Sequence, residues 1–413
     1  MRRSSRTLLT ALCAGLLTAG LVAALMIDSG LAFAAPPSGK GPGGGDDGGG
    51  GDTAPPYSIT FLGTLGGDWS RPEGINGYGD VVGASETGVI GARTWPHAFV
   101  NTGDGGGGRL MIDLHDLFED EELIPPFDYT AETGWIVHSA RDINDAGQIA
   151  GKMMLLDGGQ AVEGTNFRYT PPTVDENGDP VAAQLDTTGS SHPSAEFATA
   201  INAHGDMAGY VRGADALVRA FVWIPAGPIV DLGLMDGRET RGLDINDSGQ
   251  VCGDNNGFDR AWRFTPDVGY EDLGTLFEKA KSTSNWALSI NNSGQVAGNS
   301  QDKRPSGVVQ RGFRYTDGSG LLNLGTLGGN VTRAESINNF GDVVGISETS
   351  GGELHVFLYT DVLGLVDLEA SITNLDSSSE LHGPNGAGRV LINDFGEVAG
   401  DADGEAYLLT PVE

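Results

Sequence analysis

The chain has 413 residues, among them 66 Gly, 19 Pro and 2 Cys, and its 24 Lys plus Arg stand against 56 Asp plus Glu for a formal net charge of -32. That balance excludes nucleic acid and anionic membrane as partners, because both need a basic face that displaces counterions. Hydrophobic residues at 39% and charged residues at 19% fit a globular chain with a core; two cysteines build no disulfide framework, and glycine without a three-residue period excludes collagen.

In chain order, Arg2, Arg3 and Arg6 precede an apolar run from Leu8 to Ile27, and Ala32-Phe33-Ala34 follows. A cationic start, an apolar stretch and small residues at alternate positions predict an export signal over 1–34, cut after Ala34, and a secreted or periplasmic location. The run is also long enough for an uncleaved anchor, so a membrane is expected as a partner only if the signal is retained. Residues 35–56, largely PPSGKGPGGGDDGGGGDTAPP, bury no apolar surface and predict a flexible tether. The folded part is expected from Tyr57 to the end.

That part is repetitive. The string Ile-Asn-x-x-Gly-[Asp/Gln/Glu]-[Val/Ile/Met]-[Val/Ala/Cys]-Gly starts at Ile75, Ile143, Ile201, Ile245, Ile290, Ile337 and Ile392. An aromatic element follows each copy, seen at Phe99, Phe167, Phe221, Trp262, Phe313, Phe357 and Tyr407. A third element, near Asp-Leu-Gly-Thr-Leu-Gly-Gly, is clearest at Leu62–Gly67, Asp231–Gly237, Asp272–Leu276 and Leu324–Gly329. Residues 57–413 give 51 per unit, the length of four short strands with their turns.

Within a unit, Asn76, Asn144, Asn202, Asn246, Asn291, Asn338 and Asn393 cap a turn with their side chains. Gly79, Gly147, Gly205, Gly249, Gly294, Gly341 and Gly396 supply its left-handed residue. A second glycine (Gly83 in the first unit, Gly253 in the fourth) ends the next strand and signals close backbone approach. Residues 116–134 read as an insertion with room for one short helix. Small residues just upstream of each Ile, such as Gly74, Ala200 and Ser289, suit a crowded hub. The expected fold is all-β: a seven-bladed β-propeller of four-stranded antiparallel blades, with the N-terminal strand Tyr57–Leu65 completing the last blade and closing the ring.

On the motifs LGTLGG, SxAxxINxxGxVVG and His97-Ala98-Phe99, the chain resembles the extracellular HAF-repeat family across residues 57–413. Only one copy spells His-Ala-Phe, and the second and third units lack a clear Leu-Gly-Thr-Leu. The resemblance implies an exported bacterial repeat protein and brings no catalytic residues with it.

The site candidates lie ahead of the recurrent Ile. Arg71, Glu73, Arg141, Arg241, Arg333 and Glu335, with Trp69, Trp135 and Trp286 at even offsets and hence on one strand face, would line a channel mouth fit for an anionic or saccharide ligand. Ion pairing between adjacent blades plus ordinary packing accounts for the same residues. Glu73 and Glu335 are the one carboxylate pair in matching positions for glycoside hydrolysis. Turn carboxylates at Asp145, Asp247, Asp394 and Asp175 predict weak Ca²⁺ association rather than a specific metal site, and no cofactor is expected. His97 and His355 replace Arg at the start of aromatic strands and suit strand-edge hydrogen bonding, and Cys252 reads as a small core residue. The expected function is a non-catalytic scaffold for a protein or carbohydrate ligand; the alternative is a secreted polysaccharide hydrolase or lyase acting at the channel mouth.

Overall fold

The computed structural model describes residues 54–88, 95–105, 107–175, 177–189, 196–225, 227–257, 259–278, 283–305, 307–375, 381 and 388–412. The export signal and all but the end of the 35–56 tether lie outside the described residues. Ala54 is buried in a core cluster, and Pro56 O accepts the Val412 N–H at 2.8 Å, so the packed body takes in the last residues assigned to the tether.

The fold is all-β. Its strands form five four-stranded sheets, an eight-stranded sheet and a two-stranded hairpin. The sheet nearest the start of the repeats runs Gly66–Ile75, Val81–Thr87, Pro96–Gly103, Arg109–Asp113. The order small-residue strand, glycine-ended strand, aromatic strand, Asp-Leu strand recurs down the chain, as in Arg241–Ile245, Val251–Asp254, Ala261–Thr265, Gly269–Gly274. In the eight-stranded sheet two such groups touch through one parallel pair, Gln310 with Val331. The exception in chain order is the sheet of Leu391–Ile392, Val398–Ala402 and Glu405–Pro411, whose outer strand is Tyr57–Gly63, with Tyr57 opposite Pro411. An α-helix, Leu114–Asp120, starts ahead of the expected insertion because the Asp113 side chain accepts the His115 N–H at 2.8 Å and caps it. Leu114, Leu117 and Phe118 bury its inner face.

Each recurrent turn is built the same way. Asn76 Oδ1 accepts the N–H groups of Tyr78 at 3.0 Å and Asp80 at 2.9 Å, and Asn246 does the same for Ser248 and Gln250. The glycine that closes the turn has φ between +71° and +85° in all seven copies, a conformation that strains any residue with a Cβ.

The second glycine answers to a different constraint. A Cβ at Gly253 would lie 1.9 Å from the Arg241 carbonyl oxygen and 2.8 Å from the Trp262 ring, and Gly83 and Gly345 are equally close to the Arg71 and Arg333 carbonyls. A β-bulge in the inner strand accompanies this approach. Pairing skips one residue between Pro72 and Gly74, between Gly242 and Asp244, and at the matching place in four more inner strands. Such a bulge bends the strand and resets which side chains share a face. Counting from Ile290 to Trp286 crosses one such skip, so even spacing puts this tryptophan on the face opposite the isoleucine; a second skip between Val137 and Ser139 restores the parity of Trp135, and Trp69 falls within a further irregularity between Gly66 and Ser70.

The rings of Phe99, Phe167, Phe221, Trp262, Phe313, Phe357 and Tyr407 have no exposed surface. The basic residue opening the aromatic strand reaches the Asp of the Asp-Leu strand beside it. His97 Nδ1 lies 2.8 Å from Asp113, His355 Nδ1 2.8 Å from Asp367 and Arg260 3.3 Å from Asp272. The Asp-Leu signature thus marks an ion-pairing slot.

Gly253→Ala is expected to cost on the order of 3 kcal/mol, since neither a backbone carbonyl nor a packed indole can yield. Gly257→Ala, which meets nothing within 4 Å, should change stability by less than about 0.5 kcal/mol. Urea unfolding midpoints of the two variants compare them directly, and equal midpoints would refute the clash.

Candidate functional site

The inner strands converge through the turn asparagines. Asn76 Nδ2 donates to Asn144 O at 3.4 Å, Asn144 to Asn202 O at 2.9 Å, Asn202 to Asn246 O at 3.1 Å and Asn246 to Asn291 O at 3.0 Å. Asn291 then donates to Asn338 O at 3.0 Å, Asn338 to Asn393 O at 3.3 Å, and Asn393 to Asn76 O at 3.0 Å, back at the start. One residue further along, the backbone N–H of Ala203, Asp247, Asn292 or Asn339 donates to the Asp or Asn side chain of the following turn. Gly77 makes the same bond to Asp145 at 2.7 Å.

Above this relay lies a cavity of about 140 Å³ lined by residues from each inner strand, including Glu73, Asp142, Thr199, Asp244, Ser289, Ser336 and Arg389. Asp142 accepts the N–H groups of Ile143 and Ile201, both at 2.9 Å, and Asp244 those of Ile245 and Ile290, both at 2.8 Å. Ser289 and Ser336 hold the next isoleucine N–H more loosely, at 3.4 and 3.3 Å. Polar residues in the small-side-chain slot therefore stitch neighbouring sheets across the hub. Burial, and then the Asp244 charge, push the Asp142 carboxyl up to about 7; burial also raises Asp244. Arg389 is the basic residue among those described around the cavity, and it donates to Glu73 O at 3.2 Å.

The residues singled out in the sequence are placed as follows. Glu73 lines the cavity and pairs with Arg141 at 3.3 Å, one sheet to the next. Arg71 is exposed and stacks 5.4 Å from the Trp69 ring centroid. Arg241 clamps Asp254 with two bonds of 2.9 Å and lies over Tyr210. Trp286 and Arg333 are half-buried. Glu335 is buried, accepts the Val390 N–H at 2.8 Å, and is pushed up to about 7 by burial. Glu73 and Glu335 are not brought to one described cavity. Asp145, Asp247 and Asp394 accept the N–H groups of Gly77, Ala203 and Asn339 in the neighbouring turns, and Asp175 accepts those of Asn177 and Asp179 in its own loop at 2.8 and 2.9 Å, so the carboxylates considered for Ca²⁺ all bind backbone N–H groups. Asp142, Asp244 and Arg389 were missed as site residues. The available signal was a charged residue standing in slots filled mostly by small ones, one residue before the isoleucine for Asp142 and Asp244 and three before it for Arg389.

No family model and no curated protein matches the chain. The solved structures it is similar to are β-propeller-like. A streptogramin B lyase structure is 12% identical over 86% of this chain and 98% of its own, with a TM-score of 0.43. Virginiamycin B lyase from Staphylococcus aureus is 12% identical over 86% of this chain and 100% of its own, TM-score 0.45. TolB from Acinetobacter baumannii is 14% identical over 87% and 80%, TM-score 0.37. No described helix is long and apolar enough to cross a membrane.

The raised carboxyls fix a pH dependence. Asp142 and Glu335 keep their protons in the folded chain to about pH 7, whereas unfolded Asp and Glu lose theirs near about 3.9 and 4.3. Their stabilising effect is complete below the unfolded values and is lost as pH rises through the folded ones. The urea midpoint should therefore be higher at pH 5 than at pH 8, and Glu335→Gln should narrow the difference. A variant with an unchanged difference would remove Glu335 from the account.

Proposed function

We propose that the four-stranded groups are the blades of a seven-bladed β-propeller, closed where Tyr57–Gly63 joins the sheet of Glu405–Pro411, and that it acts as an exported, non-catalytic binding scaffold of the HAF-repeat kind. The antiparallel pairing of the chain's two ends and the asparagine relay that returns to Asn76 support the closure. The export reading rests on the N-terminal sequence alone, and N-terminal sequencing of secreted protein should begin at Ala35.

The observation that carries the scaffold reading is the hub itself. Its cavity of about 140 Å³ is well below the roughly 300–1,000 Å³ of ligand pockets, and its carboxylates are engaged in bonds between sheets. The hub therefore takes no such ligand; a larger cavity of about 790 Å³ lies at Leu273, Leu276, Asp302, Arg304 and Leu321, and the proposed binding surface is the rim, at the strand ends away from the asparagines. There Trp69 under Arg71, with Arg241, Trp286 and Arg333 and the Glu73–Arg141 pair and Glu335 behind them, suits a protein or carbohydrate surface with anionic or hydroxyl groups. Nucleic acid is excluded by the charge of -32.

One feature favours the enzymatic alternative: a carboxyl near neutral pKa beside a second one in the same cavity is suited to general acid–base work on a polysaccharide. A thermal-shift screen of the full chain against oligosaccharides, run alongside a reducing-end assay, separates the readings. A scaffold shows a ligand-dependent rise in Tm that Trp69→Ala/Arg71→Ala abolishes without changing the unliganded Tm. Reducing-end release that Asp142→Asn eliminates would overturn it.

A further inference from the structure

In every turn of the asparagine relay the side chain two residues beyond the Asn is exposed. Around the relay that position is Ala146, His204, Ser248 and Ser293 in four consecutive turns, and Phe340, Phe395 and Tyr78 in the other three. The last three are neighbours, since Asn338 donates to Asn393 O and Asn393 to Asn76 O. Phe340 and Phe395 are each 72% exposed and Tyr78 is 47% exposed. Each is held by its own backbone: the N–H donates to the capping Asn Oδ1 at 3.0–3.1 Å, leaving the ring outside. Asn339 and Asp394, between the two phenylalanines, are locked together by bonds of 2.8 Å from the Asn339 N–H and Nδ2 to the Asp394 carboxylate.

We propose that these three rings form a binding platform for a neutral polysaccharide, on the end of the molecule opposite the rim discussed above and independent of it. Charge narrows the occupant. The same turns carry Asp80, Asp342, Asp394 and Glu397, which outnumber Arg109 and Arg314 donating to the Gly79 and Gly341 carbonyls, and on a chain of net charge -32 an anionic glycan, an anionic membrane and a second copy of this face would all be repelled. Pattern narrows it further. A protein hot spot is a contiguous, desolvated cluster inside a sealing rim, whereas here each ring stands on its own tip with polar groups between. A pyranose chain alternates in the same way. Its C–H faces lie over the electron-rich faces of aromatic rings, and its hydroxyls reach carboxylate, amide and backbone groups in between. The hydrogen-bonded turns are already fixed, so little ordering is lost on binding.

The full chain should sediment saturably with microcrystalline cellulose or with chitin, in a manner insensitive to 0.5 M NaCl as expected for uncharged contacts. Phe340→Ala/Phe395→Ala should weaken retention roughly tenfold and leave the Tm unchanged, because neither ring is packed. Trp69→Ala/Arg71→Ala should leave retention intact, so that failure of the rim site and failure of this one are told apart. Retention equal in the Phe340→Ala/Phe395→Ala variant and the parent, absence of retention on both solids, or a dimer in sedimentation velocity that the phenylalanine variant dissolves would each overturn the proposal.

Discussion

Everything else in the molecule leans on one amide. In each turn the asparagine Oδ1 takes two N–H groups of its own loop while Nδ2 donates to the backbone carbonyl of the next asparagine. Only a side chain with an acceptor and a donor on the same carbon does both. Aspartate keeps the turn but loses the donor, and glutamine's longer stem misplaces both groups. Local folding and packing between sheets therefore depend on the same residue, and because these amides are buried a missing partner is costly.

The hub shows what crowding demands. Small residues just ahead of the isoleucine let the inner strands converge, and where Asp142 or Asp244 intrudes it is held by N–H groups from two sheets at once. These carboxyls strengthen the junction while resisting ionisation. Arg389 brings a compensating positive charge that lowers both. The arginines and glutamates nearby follow the same economy: Arg141 with Glu73, Arg241 with Asp254, and Glu335 with the Val390 N–H each join parts of the framework.

Much of this was readable in the amino-acid pattern, for a physical reason. A repeat displays the same steric demand many times over, so the left-handed glycine and the capping asparagine stand out, and so does the glycine facing Trp262 or Phe99. The bulge at Glu73, Arg141 and Glu335 was invisible, because one extra residue in a strand changes no composition and looks like one more step of alternation. The bond from one asparagine to the next was hidden as well, since its acceptor is a backbone carbonyl that carries no residue signature. The candidate site fared worse than the fold. Arg71 stacks over Trp69, but Asp142, Asp244 and Arg389 were legible only as deviations from smallness, and Glu335 turned inward to a backbone partner.

The sheet that unites Tyr57–Gly63 with Glu405–Pro411 has a temporal consequence. A ribosome delivers the first strand long before the last, and a translocon would do the same, so that strand must wait unpaired while some 340 residues arrive and collapse beside it. Its Phe61 and Leu62 are a sticky, orphaned ribbon during that interval. A stop codon in place of Glu405, which takes away the strand Glu405–Pro411, would leave that orphan permanent, turning a minor truncation into an aggregation-prone product.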